Sequence, residues 1–545
     1  MKADDMKLTK SCFACDLSKS DSFRDRGMEF AENTGMNGLP NAVRARNIFR
    51  RSFWIAIVIA GWGMTVWQVS ELVTKYYSYP VNTDLTLIYN YSMQFPAVSF
   101  CNINPIRLSS VYLDQNISSL LKVGFTTADT SPPSSSQPAN VTTWDDKIGA
   151  GYYMEKNEMV STEQNFLSYF AAADASVRER MGHNITWMLL DCTFGDFRCS
   201  PGNFTYFSNA KHGNCYTFNA GKQTEIRTTK KTGPTYGLTL ELYIEHGEYI
   251  ADLSPDAGIK LVIHNQSYMP FPEDDGFVVA PGTKTAIGLT LVDLKRAQPP
   301  YGNCQVYTSA TNHLVNMWAD EPGLDIGYSD RACFKTCFQN NVISRCGCCY
   351  AYYPCSAQDS LKDSINSIGG VVAPCNESNT NTSQCIERVT LLYTNNDLGC
   401  SEICKTSCDE VVYNAEISSS LWPSNPFMDS VYDKISKKDW GLWQAFKGYT
   451  NAAKKQFVRE NVLKVEVYYK KLNFETIAQQ PSYVLSNLLA DIGGQLGLYL
   501  GLSVVTLFEF IELFGDVVTI FMLKVRRGSE KTHKIATTID KESTF

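Results

Sequence analysis

The chain has 545 residues, 44% of them hydrophobic and 12% aromatic, so it is long enough for several domains and too apolar to be disordered. A net charge of -7 and an isoelectric point near 5.6 give no reason to expect nucleic acid, whose readers carry basic faces. The positive charge that exists is clustered. Between Asn33 and Ser52 the only ionisable side chains are Arg44, Arg46, Arg50 and Arg51, and Lys524, Arg526, Arg527 and Lys531 follow the last apolar stretch.

The N-terminal fifty residues are of mixed charge and are expected to be loosely ordered until Phe30, after which FAENTGMNGLPNAV offers a turn at Asn37-Gly38. Phe53 to Ser70 carries no charge and suffices for one transmembrane helix, with Trp54 and Trp67 near its ends. Some fifty residues precede it and no small-residue cleavage pattern follows, which excludes a cleaved signal peptide and leaves a buried core helix as the alternative. Met93 to Cys101 reads as a strand entering a domain, and Ser131 to Thr143 as an exposed loop. Glu155 to Arg180 has helical stretches, whereas Leu238 to Glu245 and Gly258 to Ile263 alternate like strands. Cys333 to Cys408 is dense enough in cysteine to be a stapled, loop-rich subdomain. Asp439 to Arg459 looks helical, and Val462 to Tyr469 alternates apolar and polar residues.

Ser482 to Leu523 is apolar enough for lipid yet contains Asp491, Glu509, Glu512 and Asp516. At about 1.5 Å per residue one helix of this length exceeds a hydrocarbon core of about 30 Å. Gly493, Gly494, Gly497 and Gly501 supply breaks, and irregular backbone survives at membrane depth only where it lines water or is buried in protein. Carboxylates inside a span usually face an aqueous path, so the stretch reads as a pore. The plainer alternative is an anchor helix with Gly497 and Gly501 as a GxxxG packing face.

Two spans with basic outer flanks place both termini in the cytoplasm and everything between the spans outside. Sixteen of the eighteen cysteines fall between them: Cys101, Cys192, Cys199, Cys215, Cys304, Cys333, Cys337, Cys346, Cys348, Cys349, Cys355, Cys375, Cys385, Cys400, Cys404 and Cys408. An oxidising compartment makes these disulfides, although Cys346-Gly-Cys348-Cys349 has a metal site as its rival. Cys12 and Cys15 are expected to be reduced cytosolic thiols. Sequons at Asn90, Asn116, Asn140, Asn184, Asn203, Asn265, Asn376 and Asn381 all lie in the same segment and mark it for glycosylation. No enzyme emerges: the six histidines form no HExxH, and there is no GxSxG elbow or phosphate loop, so no catalytic residue, cofactor or metal is expected.

FPAVSFCN at Phe95 to Asn102, NCYTFNAG at Asn214 to Gly221, YSDRACFKTC at Tyr328 to Cys337, LNFETIAQ at Leu472 to Gln479 and LLADIGGQLGLYLGLSVVTLFE at Leu488 to Glu509 resemble the degenerin/epithelial sodium channel superfamily. Within it, invertebrate channels opened by FMRFamide-type neuropeptides are the most similar branch. The resemblance implies an α+β membrane protein: two transmembrane helices, a large disulfide-rich extracellular α/β domain of clenched-hand architecture, and a trimer. The implied domains are a cytoplasmic segment 1–52 with the gating turn, a first transmembrane helix 53–75, an extracellular domain 76–481, a pore-lining helix 482–524 and a tail 525–545.

Residue by residue, Gly501-Leu502-Ser503 matches the family's G-x-S selectivity motif, in which an extended break turns backbone carbonyls toward ions. Ala490 matches the position where bulky residues lock degenerins open, Asp491 the adjoining outer-pore acid, and Glu509 and Glu512 acids that would concentrate cations below the filter. Tyr79 and Tyr301 match an aromatic pair joining the first helix to the ectodomain, with Tyr301 where Trp is common. Asn37-Gly38 stands where the family has His-Gly, and Asn cannot titrate. The implied disulfides are Cys101 with Cys215, Cys192 with Cys199, Cys304 with Cys408, Cys333 with Cys404, Cys337 with Cys400 and Cys346 with Cys385. The pairing of Cys348, Cys349, Cys355 and Cys375 stays open.

The expected function is a homotrimeric, sodium-selective channel of the plasma membrane, opened by an extracellular amidated neuropeptide, with sodium ions and lipid as its other partners. The alternatives are a proton- or force-gated relative and, from another class, an anchored adhesion or receptor protein. A dicationic peptide with two Phe needs apolar walls and a carboxylate. Trp187, Met188, Phe194 and Phe197, with Asp191 or Asp196, concentrate these groups, against the plainer reading that Trp187 and Met188 are core and the acids solvated.

Overall fold

The computed structural model describes residues 23–121, 162–221, 225–266, 268–307, 326–355, 372–438 and 450–542. The chain forms two compact units, Met1–Asn82 with Pro481–Phe545, and Thr83–Gln480.

The first unit is helical. Phe23–Asn33 is a helix, so order begins before Phe30, contrary to expectation. Its mixed charge is not a sign of disorder, because Phe30 packs its ring 5.0 Å from that of Phe510, a contact the local pattern cannot show. Cys12 and Cys15 lie outside the described residues. After the turn at Asn37-Gly38, Leu39–Arg44 forms a short helix that tolerates Pro40 in its first turn, where the missing N–H has no partner to lose. Ile48–Tyr77 follows, started by the Asn47 side chain accepting from the Phe49 amide at 3.2 Å. At 30 residues it is about 45 Å long, and among the described residues it is the one helix long and apolar enough to cross a membrane. It extends beyond 53–75 at both ends.

The C-terminal stretch is not one helix. Leu485–Gln495 is followed by a single π turn, Leu496–Leu500, then by non-helical backbone at 501–503, and the helix resumes as Val504–Glu542. Of the four glycines singled out as breaks, Gly501 makes one; Gly493 and Gly494 stay helical and Gly497 lies in the π turn. A GxxxG face therefore does not form, since its second glycine ends the helix. The acids of Val504–Glu542 make this segment less apolar than the first helix.

The second unit is built on two sheets. The larger runs Val81–Tyr89, Asn473–Pro481, Thr283–Lys295, Val462–Tyr469, Leu238–Tyr243, Leu189–Phe194 and Phe197–Arg198, with Asp409–Leu421 also pairing Thr283–Lys295. The smaller runs Phe277–Val279, Ile259–His264, Ala97–Asn102, Gly213–Phe218 and Phe204–Asn209. One core joins them: Phe100 and Phe218 from the smaller sheet pack with Leu240, Val465 and Tyr469 from the larger. Thr283–Lys295 and Asp409–Leu421, antiparallel over thirteen residues, went unread because the second is largely polar and exposed.

All sixteen ectodomain cysteines are bonded. Six pairs are those the resemblance implies, and the open four resolve as Cys348–Cys375 and Cys349–Cys355. No thiolate is left at Cys346, Cys348 or Cys349 for a metal. Asn90, Asn116, Asn184, Asn376 and Asn381 are exposed, Asn203 and Asn265 half-buried, and Asn140 lies outside the described residues.

Candidate functional site

The site lies in the helical unit, where three segments distant in sequence meet at the break after Leu500. Gly501 takes the left-handed conformation, with φ 68° and ψ 16°, rather than an extended one. A non-glycine residue there would be strained, and a Cβ would also overlap the Asn37 side chain. The amides of Gly501 and Leu502 close the π turn onto Gly497 and Leu496 at 3.0 and 3.2 Å. The Leu500 carbonyl is taken by the Asn37 amide at 2.8 Å, whereas the Gly501 and Leu502 carbonyls accept no hydrogen bond among the described residues. Two adjacent carbonyls without a protein donor are what an ion path requires in place of hydration water.

Ser503 restarts the helix. Its hydroxyl accepts from the Thr506 amide at 3.3 Å, and the Thr506 hydroxyl accepts from the Ser503 amide at 3.2 Å, a reciprocal cap. Gly61 of the first helix allows close approach: a Cβ there would stand 3.2 Å from the Tyr499 carbonyl. Gln68 donates to the Tyr499 hydroxyl at 3.0 Å. Gly38, at φ 85°, lets the Asn37 turn fit against Val58 and Trp54.

Below the break, Glu509 Oε2 accepts from the Thr34 hydroxyl at 2.9 Å and the Gly35 amide at 3.1 Å. Asp516 lies 3.8 Å from Arg26, and Glu512 is exposed with no ion pair among the described residues. The acids expected to act alike thus differ. Nothing in the local sequence singles out Arg26, Thr34, Gly35, Gly61, Gln68 or Tyr499 as site residues. Thr34 and Glu509 are 475 residues apart, and no local signal joins them.

Ala490 is exposed within the chain, and Asp491 Oδ2 accepts from the Tyr483 hydroxyl at 2.6 Å. Tyr79 belongs to the helical unit, at φ 46° beside Tyr76 and Tyr77, and Tyr301 to the other, in a turn whose amide donates to the Gln298 carbonyl at 3.1 Å.

The residues considered for a peptide do not form one pocket. Met188 and Phe194 are in the main core. Burial alone would push the Asp191 carboxyl up, but hydrogen bonds and charge from Lys434 and Arg198 hold it below its ordinary range. Lys434 bridges Asp191 at 2.9 Å and the buried Glu241 at 2.6 Å, which makes Asp191 part of an internal ion network. Trp187, Asp196 and Phe197 stay exposed, with the Arg227 guanidinium 3.9 Å over the Phe197 ring.

A protein family described as "Amiloride-sensitive sodium channel" matches residues 30–513. Among similar proteins, "Epithelial sodium channel subunit alpha" of Cavia porcellus is 26% identical over 567 residues, covering 93% of this chain and 78% of its own length. The protein of the same name from Xenopus laevis is 26% identical, covering 94% and 86%. "Epithelial sodium channel subunit gamma" of Pelodiscus sinensis is 25% identical, covering 93% and 81%.

Proposed function

We propose that this chain, which belongs to the amiloride-sensitive sodium channel family and is a sodium channel of that superfamily, is opened from outside by an amidated neuropeptide of the FMRFamide type. It then works as a homotrimer in the plasma membrane, with both termini cytoplasmic and residues 76–481 extracellular. The ion path runs past Gly501, Leu502 and Ser503. The observation that supports this path is the pair of carbonyls at Gly501 and Leu502 that accept no hydrogen bond among the described residues, beside a Leu500 carbonyl held by Asn37.

Against proton gating, Asn37 stands in the gating turn where the family has a histidine, and burial lowers His212 and His264, two of the six histidines, to about 4. Of the residues considered for a peptide, Trp187, Asp196 and Phe197 keep an exposed surface. The relatives named as subunits alpha and gamma make a mixed assembly the rival to a homotrimer.

Voltage clamp of a cell expressing this chain alone tests the proposal. Current evoked by amidated peptide, and lost with the free-acid form, supports it. Current evoked by acid, or current only on co-expression of another subunit, contradicts it.

A further inference from the structure

We infer that Glu509 is a hydrogen-bonding latch that fixes the filter rather than a charge that gathers cations, and that Thr34 is its positioning partner. The inference rests on reading 501–503 as the ion-selecting segment. A helix break is mechanically weak, since the backbone bonds that would tie one half to the other are missing. Residues 34–37 bridge it. The Asn37 amide holds the Leu500 carbonyl on one side of the break, at 2.8 Å. On the other side, Thr34 and Gly35 both donate to Glu509 Oε2, at 2.9 and 3.1 Å. Gly35 also sits close over Thr506, where a Cβ would stand 3.3 Å from the hydroxyl that caps Ser503.

Thr34 is only 6% exposed, and its hydroxyl is used twice, donating to Glu509 and accepting from the Met36 amide at 3.4 Å. A hydroxyl can do both, and the isosteric Val side chain can do neither. Glu509 needs no charge for its part, because one oxygen accepts both bonds and an amide oxygen has the same two lone pairs. Glu512 is exposed and has no such donors among the described residues.

This division gives a test that separates charge from hydrogen bonding. In voltage clamp of the full chain, with surface labelling to control for expression, Glu509→Gln should keep the parent's conductance and sodium-to-potassium permeability ratio. Glu509→Leu should lower that ratio by about fivefold, the scale of one net hydrogen bond. Thr34→Ser should behave as the parent, Thr34→Val as Glu509→Leu, and the double variant Thr34→Val/Glu509→Leu should be no worse than either. If Glu509→Gln loses as much inward conductance as Glu509→Leu while Thr34→Val matches the parent, Glu509 acts as a charge and the latch is wrong. A parent chain that reaches the surface and carries no cation current overturns the pore reading, and the latch with it.

Discussion

The Asn37 amide donates to the Leu500 carbonyl at 2.8 Å, joining the N-terminal turn to the residue before the break in the second helix. This bond comes from the backbone, so Asn in place of His leaves it intact. The expected outcome is that Asn37→His preserves sodium selectivity but adds pH dependence near the ordinary histidine range of about 6.5. Gating that stays insensitive between about pH 7.5 and pH 6 in that variant would remove the turn from the gate.

Ala490 is exposed within its own chain, so any close packing there involves a neighbouring subunit. Overpacking commonly costs about 1–3 kcal/mol. Ala490→Val should therefore leave standing sodium current or slow closure, read in voltage clamp without agonist. Parent-like closing at normal expression would refute the contact.

His212 and His264 set an acid limit on the ectodomain. Burial is the larger cause for both, helped at His212 by the charges of Lys211 and Lys260, and each folded-state pKa falls from 6.5 to about 4. The unfolded chain then binds more protons than the native one between these values, so stability rises with pH across that window and is lost as pH falls from 6.5 toward 4. Each histidine accounts for about 3 kcal/mol of that loss. Thermal unfolding of the purified channel should show a shallower fall in midpoint over this range for His212→Gln than for the parent. Equal slopes would contradict the burial account.

Disulfides should rank by the chain they close. Cys101–Cys215 encloses a sequence separation of 114 and Cys349–Cys355 one of 6, for which loop entropy gives about 5 and about 2 kcal/mol. Paired Cys→Ser substitution should reduce surface expression far more at the first. The reverse order would show that native packing, not loop closure, decides.

What was legible in the sequence was whatever repeats locally. The uncharged run after Phe53, the alternation of Val462–Tyr469, the Asn-Gly turn and the glycine-rich second span each carry their own signal. Pairings between remote segments carry none. Thr34 looks like any polar residue until Glu509 is beside it, and Asp191 looks like a ligand-binding acid until Lys434 occupies it. Met188 and Phe194 leave the peptide set for the same reason, because they pack in the core of the two sheets.

The central claim is that the break at Gly501, braced by Asn37, selects sodium, and the most direct test is the reversal potential under exchange of extracellular sodium for potassium. The parent should reverse far more positive in sodium. Gly501→Ala, which puts a side chain at φ 68° against Asn37, should reach the surface and lose most of that difference, since the left-handed strain alone is about 1–2 kcal/mol. A Gly501→Ala channel with the parent's reversal potentials in both solutions would contradict the account.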